Sequence, residues 1–182
     1  MPLCGIDEAG RGCIAGSLVV AGVILNEEIE GLNDSKKLSE KKREKLFPLI
    51  IENSQYHIVS FSAQEVDDLG LSKCIHNALK EIMQTLETKN FLFDGNSNFG
   101  VEGLPTQIKA DADVIEVGAA SILAKVTRDR EIIKFSKIYP QYGFEKHKGY
   151  GTAAHVASIK EFGYCPIHRR SFKLKALQKT LF

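Results

Sequence analysis

Gly5-Ile-Asp-Glu-Ala-Gly-Arg-Gly12 is the stretch on which the reading of this chain turns. Residues 3–6 form a short apolar run of strand character, two acids follow it directly, and Gly10 and Gly12 supply an easy bend. Adjacent side chains on a regular strand point to opposite faces, so Asp7 and Glu8 can share one site only if the strand ends or bends between them. Acids at the end of a buried strand repel one another unless a cation neutralises them, and hard divalent ions such as Mg²⁺ prefer carboxylate oxygen.

Working outward, residues 17–25 are a Val- and Ile-rich run of strand length, which predicts a second strand beside the first. Leu46, Leu49 and Ile50 have helical spacing within residues 39–52, with Ser39 as the expected N-cap and Pro48 expected to shorten or kink the helix. Residues 56–61 alternate as a half-buried strand does. Ser62-Ala-Gln-Glu65 has the capping-box pattern, predicting a helix that starts there, breaks near Gly70 and resumes over residues 75–86. Phe91-Leu-Phe-Asp94 reads as a buried strand ending on an acid, residues 106–109 as another, and residues 113–137 as a long helix whose Gly118-Ala-Ala-Ser121 segment offers a small-residue face. A Gly-rich loop (148–151), a helix over 152–162, a turn at Tyr164-Cys-Pro166 and a basic amphipathic tail from Ser171 complete the chain. This order predicts an α/β protein with a central mixed sheet flanked by helices.

With 182 residues, 43% of them hydrophobic, the chain suits one compact domain. No run approaches the ~20 apolar residues of a membrane span and no signal-like segment opens it, so the expectation is a cytoplasmic protein without membrane association, and a monomer. Cys4, Cys13, Cys74 and Cys165 are scattered without metal-ligand spacing and are expected to be reduced thiols. The net charge of +1 hides an asymmetry: residues 1–133 hold 14 Lys+Arg against 21 Asp+Glu, and residues 134–182 hold 10 against 2. An acidic body joined to a basic C-terminal quarter suits a protein that gathers carboxylates around metal ions and grips a polyanion beside them. Asp94, closing a buried strand as Asp7 does, joins the candidate acids, and no alternative nucleophile has an evident partner. His57, His76, His147 and His155 show no ligand spacing and are expected to be structural or on the surface.

Beyond its individual acids, the chain resembles the ribonuclease HII family in several blocks that occur in family order. They are the opening Gly5 to Gly12 stretch, Asp34-Ser-Lys-Lys-Leu-Ser39, Phe93-Asp-Gly95, Lys109-Ala-Asp111, Ala119-Ala-Ser-Ile-Leu-Ala-Lys125 with Arg128-Asp129, and His147-Lys-Gly-Tyr-Gly-Thr152. The resemblance implies a ribonuclease H-like fold: a five-stranded mixed sheet flanked by helices, a catalytic core over residues 1–137 and a small basic helical extension over 138–182. It makes Asp7, Glu8, Asp94 and Asp111 the acids that hold Mn²⁺ or Mg²⁺, two ions when substrate is bound, and places them across adjacent strand ends. It assigns Gly10, Arg11 and Gly12, with Tyr150, to sensing the 2′-hydroxyl at an RNA-to-DNA junction.

The implied activity is hydrolysis of the RNA strand of RNA–DNA hybrids, and cutting 5′ of single ribonucleotides in duplex DNA to leave 3′-hydroxyl and 5′-phosphate ends. Lys36, Lys125 and Arg128 become candidates for phosphate contact, as do His168, Arg169, Arg170, Lys173, Lys175 and Lys179 in the basic tail. Lys37, Lys41, Lys42 and Arg43 read as a solvated face. Two departures stand out: Ser17 occupies a position where the family usually has Pro, and the chain ends early. Gln178-Lys-Thr-Leu-Phe182 resembles the short peptide by which bacterial replication proteins dock on the sliding clamp, with Gln178, Leu181 and Phe182 as the anchors; the plainer reading is an amphipathic helix end through Leu174, Leu177 and Leu181. Two competing functions remain, another metal-dependent nuclease of the same superfamily and a non-catalytic hybrid-binding module. Metal-dependent cutting separates the second from an enzyme.

Overall fold

The computed structural model describes residues 1–32 and 38–174. Five strands form one sheet in the order β3-β2-β1-β4-β5. The first three, β1 (Leu3–Ala9), β2 (Leu18–Leu25) and β3 (Ser54–Phe61), pair antiparallel, and β1 then runs parallel to β4 (Asn90–Asp94), which runs parallel to β5 (Thr106–Gln107). The sheet is therefore mixed, as the order of apolar runs predicts.

Strand alternation sorts the core into two faces. On β2, Leu18, Val20 and Ile24 face one side, with Cys4, Ile6, Phe91 and Phe93, and meet α3 (Leu71–Thr85) through Ile75, Leu79 and Ile82. Val19, Ala21 and Val23 face the other and meet α1 (Glu40–Glu52) and α5 (Ile115–Ile138). Gly5 and Gly22 let helices come close. A Cβ on Gly5 would lie 2.2 Å from the backbone nitrogen of Val117 on α5, and one on Gly22 would lie 2.4 Å from Ile82 on α3. The small segment Gly118-Ala-Ala-Ser121 belongs to the same approach, with Ala119 and Ala120 fully buried.

The local signals for helix starts match the structure. Ser39 caps α1 by accepting from the Lys42 amide, and Ser62 and Glu65 form the capping box that opens α2 (Ala63–Leu69). Gly70, at φ +84°, separates α2 from α3. Pro48 does not end α1, which continues to Glu52; Leu46 and Ile50 are buried, whereas Leu49 is exposed. The strand expected over 106–109 is only Thr106–Gln107, because Lys109 turns to φ +61° and starts α4 (Ala110–Asp113), a four-residue helix.

A third cluster joins the end of α5 to the C-terminal segments. Ile132 packs with Ile14, Ala15, Tyr142 and Phe144, with Ile159 of α7 (Ala153–Phe162), and with Cys165 and Ile167. Between α5 and α7 lie a 3₁₀ turn, Pro140–Tyr142, and α6 (Phe144–His147). All four cysteines are buried free thiols. None of the helices in the described residues is long and apolar enough to cross a membrane.

Candidate active site

Three carboxylates meet at the C-terminal ends of β1 and β4. Asp7, Asp94 and Asp111 each offer an oxygen, and these oxygens lie within 4.8 Å of one another. Asp7 projects from β1 at a position where it is 7% exposed; the neighbouring Ser121 of α5 favours its ionised form, and its carboxylate accepts from the Glu8 amide at 2.8 Å. Asp94 is the last residue of β4 and accepts from the Ala110 amide at 2.8 Å. Asp111 stands on α4, so the third acid comes from a short helix and not from a strand end.

Glu8 is outside this group of three. The strand neither ends nor breaks between the two acids: pairing with β2 continues through Glu8 and Ala9, and alternation turns Glu8 away from Asp7. Its carboxylate instead lies 3.6 Å from Arg11, and its Oε2 is buried without a hydrogen-bond partner. Both residues still feel each other. Burial, and then the neighbouring Glu8, hold the Asp7 carboxyl well above the ordinary carboxylate range. Burial also raises Glu8 and Asp94, with Arg11 opposing the shift at Glu8 and the Ala110 amide opposing it at Asp94.

Crowded, desolvated carboxylates of this kind fit a hard divalent cation, whose charge would stabilise the ionised forms that burial disfavours. Oxygen donors without nitrogen or sulfur suit Mg²⁺ or Mn²⁺ better than a softer metal.

Beside the acids opens a cleft lined by Glu8, the Gly10-Arg11-Gly12 turn, Asp111, Ser121, Lys125 and Tyr150. Gly10 has φ +88°, and a Cβ there would strike the Arg128 guanidinium at 2.2 Å. The Arg11 guanidinium lies 5.1 Å from the Phe99 ring centre. Tyr150 is 46% exposed, its hydroxyl neighbours the buried Cys13 thiol, and the Lys125 ammonium lies 5.9 Å from its ring centre. Lys125 also pairs with Asp129 at 2.9 Å.

Three expected phosphate contacts are corrected by burial. Arg128, 1% exposed, donates to the carbonyls of Ser17, Lys148 and Ala15. Arg169, also 1% exposed, donates to the carbonyls of Gly16 and Gly10. His168 is 2% exposed and bonds His155. A cation enclosed by backbone carbonyls is not presented to a polyanion; these side chains brace the turn and the loop that frame the cleft. Arg170 and Lys173 do remain exposed. Lys36, most of the 34–39 block, Lys175, Lys179 and the terminal Gln178, Leu181 and Phe182 lie outside the described residues.

Sequence reasoning passed over Ser121 and Glu131. Ser121 belongs to the Ala119 to Lys125 block, and its influence on Asp7 could have been suspected only from its place opposite β1. Glu131 receives both the amide and the hydroxyl of Ser17, a pair of bonds that a Pro at position 17 would lack.

Comparison with known proteins decides the family. The family profile described as Ribonuclease HII matches residues 4–175. The chain belongs to the ribonuclease HII family. A relative named Ribonuclease HII from Sulfurovum sp. (strain NBC37-1) is 62% identical over 182 residues, covering 100% of this chain and 97% of that one. Another with the same name, from Aliarcobacter butzleri (strain RM4018), is 59% identical over 189 residues, covering 99% and 98%.

Among solved structures, the ribonuclease HII of the PCNA:RNase HII complex from Archaeoglobus fulgidus superposes with a TM-score of 0.83 at 31% identity, over 100% of this chain and 98% of that one. Ribonuclease H2 from Pyrococcus horikoshii OT3 superposes with a TM-score of 0.78 at 30% identity, over 95% and 94%. The five-stranded mixed sheet with its helices is thus the ribonuclease H-like fold, and the ribonuclease HII family is one of type II ribonuclease H hydrolases.

Proposed function

We propose that this member of the ribonuclease HII family is an endoribonuclease that hydrolyses the RNA strand of RNA–DNA hybrids and cuts on the 5′ side of single ribonucleotides in duplex DNA. The observation that carries this reading is the convergence of Asp7, Asp94 and Asp111 to within 4.8 Å, beside a cleft bordered by a Gly-Arg-Gly turn and a half-exposed tyrosine.

Asp7, Asp94 and Asp111 hold the divalent metal, Mn²⁺ or Mg²⁺, and Glu8 contributes from the cleft side. When bound, a pair of such ions supplies water activation and charge neutralisation at the leaving oxygen. The acids orient the attacking water, whose oxygen bonds to phosphorus as the bond from phosphorus to the upstream 3′-oxygen breaks. The upstream strand keeps a 3′-hydroxyl and the ribonucleotide a 5′-phosphate.

Tyr150 and the backbone of Gly10, Arg11 and Gly12 select the junction by contacting the 2′-hydroxyl, the group that distinguishes RNA from DNA. Support comes from their common place on the cleft wall next to the acids. Lys125 and the exposed Arg170, together with Lys36, contact phosphates without reading sequence. The terminal peptide, through Gln178, Leu181 and Phe182, docks on the replication clamp; the relative in complex with PCNA supports a partner of this kind. Deleting Leu181 and Phe182 should then weaken retention on immobilised clamp, and unchanged retention would dispose of that role.

The test of the activity is incubation of the protein with a DNA duplex carrying one ribonucleotide, with Mg²⁺, with Mn²⁺ and with chelator, the products being mapped by gel. Metal-dependent cutting on the ribonucleotide's 5′ side is expected. Cutting of long hybrids alone would remove the junction role of Tyr150, and binding without cutting in every condition would refute the enzyme.

A further inference from the structure

The loop that carries Tyr150 is held by three imidazoles. Its residues Lys148 and Gly149 have φ +51° and +86°, so no regular element supports it. Around it, His147 is the last residue of α6, His155 is fully buried in the first turn of α7, and His168 is 2% exposed on the segment that follows α7. The rings of His147 and His155 stack at 4.1 Å, and Phe144 lies edge-on to His155.

Backbone partners determine where each ring proton sits, because an amide can only donate and a carbonyl can only accept. The Gly149 amide donates to His147 Nδ1 at 3.2 Å, so His147 carries its proton on Nε2 and donates it to the Tyr142 carbonyl at 2.8 Å. The Cys165 amide donates to His168 Nδ1 at 2.9 Å, so His168 also carries its proton on Nε2. His155 donates from Nδ1 to the Tyr150 carbonyl at 2.8 Å, leaving its Nε2 bare. His168 Nε2 and His155 Nε2 are 3.0 Å apart, a donor facing an acceptor. All three rings are satisfied when neutral. A second proton on His155 would set two N–H groups against each other, and one on His168 would face the Cys165 amide.

The surroundings agree with this. Burial holds both His155 and His168 down to about 4, and the Arg170 guanidinium further opposes a second proton on His168. The other titratable groups against the pair are Tyr142, Tyr164 and Cys165. The same loop is tied on its other side to the Gly-Arg-Gly end of the chain, since the Gly149 carbonyl accepts from the Ile14 amide at 2.9 Å.

We infer that His155, backed by His168, is a positioning residue for Tyr150: its Nδ1–H on the Tyr150 carbonyl sets where the phenol stands in the cleft and hence how well a single ribonucleotide is selected. The inference rests on the reading of Tyr150 as the junction sensor. Lone histidines without ligand spacing gave no hint of it; only the fold assembles His147, His155 and His168.

Two isosteric swaps test it on the full chain. Asn at position 155 can keep an N–H where Nδ1 stands, whereas Gln reaches the Nε2 position and leaves the Tyr150 carbonyl without its donor. The readout is the ratio of kcat/KM on a duplex with one ribonucleotide to kcat/KM on a long hybrid, a ratio that a loss of folded protein does not move. His155→Gln should lower the ratio about tenfold, the worth of one well-placed hydrogen bond. His155→Asn should restore it to within about threefold, and His155→Gln should add nothing to Tyr150→Ala.

An unchanged ratio in His155→Gln, with Tyr150→Ala impaired, overturns the positioning role while leaving Tyr150 as the sensor. Unimpaired junction cutting by Tyr150→Ala overturns both. Should the variants not fold, the ¹⁵N shifts of the wild-type imidazoles decide: a neutral His155 protonated on Nδ1 beside a His168 protonated on Nε2 supports the inference, and any other pair of states at neutral pH overturns it.

Discussion

Asp7 shows how one side chain can serve chemistry at the expense of the fold. It is 7% exposed, with Glu8 and Asp94 adding like charge to the effect of burial. Asp7→Asn should abolish cleavage while leaving hybrid affinity in chelator within about threefold, since it removes a carboxylate but little surface. The same variant should melt higher than wild type when both are metal-free, because an amide carries no charge to desolvate. Gel assays and thermal melts with and without Mn²⁺ check both statements, and substantial residual cutting would refute the role of Asp7. Ser17 is a quieter case. Its amide and hydroxyl both go to Glu131, so Ser17→Ala should cost about 1 kcal/mol in a denaturant titration, with no change in the metal requirement.

Close contact between β1 and α5 is the arrangement that brings Ser121 to Asp7. Gly5 makes it possible, since a Cβ there would lie 2.2 Å from the Val117 nitrogen and 2.3 Å from the Glu116 carbonyl carbon. Backbone cannot yield as a flexible side-chain tip can. Gly5→Ala should therefore destabilise by ~3 kcal/mol or more, and the part that remains folded should cut poorly because the helix has moved away from Asp7. Urea unfolding followed by cleavage assays on the folded fraction would show it. At α2 the capping box predicts a smaller effect: Ser62→Ala should cost ~1 kcal/mol and leave activity intact, since neither Ser62 nor Glu65 lines the cleft.

Taken as a whole, the molecule is stitched around the cleft by buried cations and neutral histidines. Arg128 and Arg169 span from α5 and the C-terminal segment to the carbonyls of residues 10 and 15–17, while His155 and His168 join α7 to the segment beyond it. Removing either arginine strands several buried carbonyls, so Arg169→Ala should cost ~3 kcal/mol or more, whereas Arg170→Ala should leave stability unchanged, weaken hybrid binding most at low salt and make its salt dependence shallower. The histidines also give stability a pH dependence. Their folded values near 4 lie below the ordinary 6.5, so between those limits the unfolded chain binds more protons than the folded one. Stability from this pair is therefore complete above about pH 6.5 and is lost as pH falls towards 4. Melting curves of wild type and His168→Gln should converge over that interval.

Local chemistry was enough to read much of this from the chain. Strand alternation placed β1, β2 and β4, capping residues marked α1 and α2, and the acids Asp7 and Asp94 were recognisable because each follows a buried apolar run. Those features depend on neighbours within a few residues. What needed the assembled molecule was every contact across long separations: Asp111 joining the acids from a helix, Glu8 turned aside by an unbroken strand, and Arg128 and Arg169 drawn into the interior against expectation. A charged side chain carries no local sign of whether it will meet water, a phosphate or a buried carbonyl. That choice follows from the burial and hydrogen-bond partners created when residues over a hundred positions apart are packed together, as Arg169 is with Gly10.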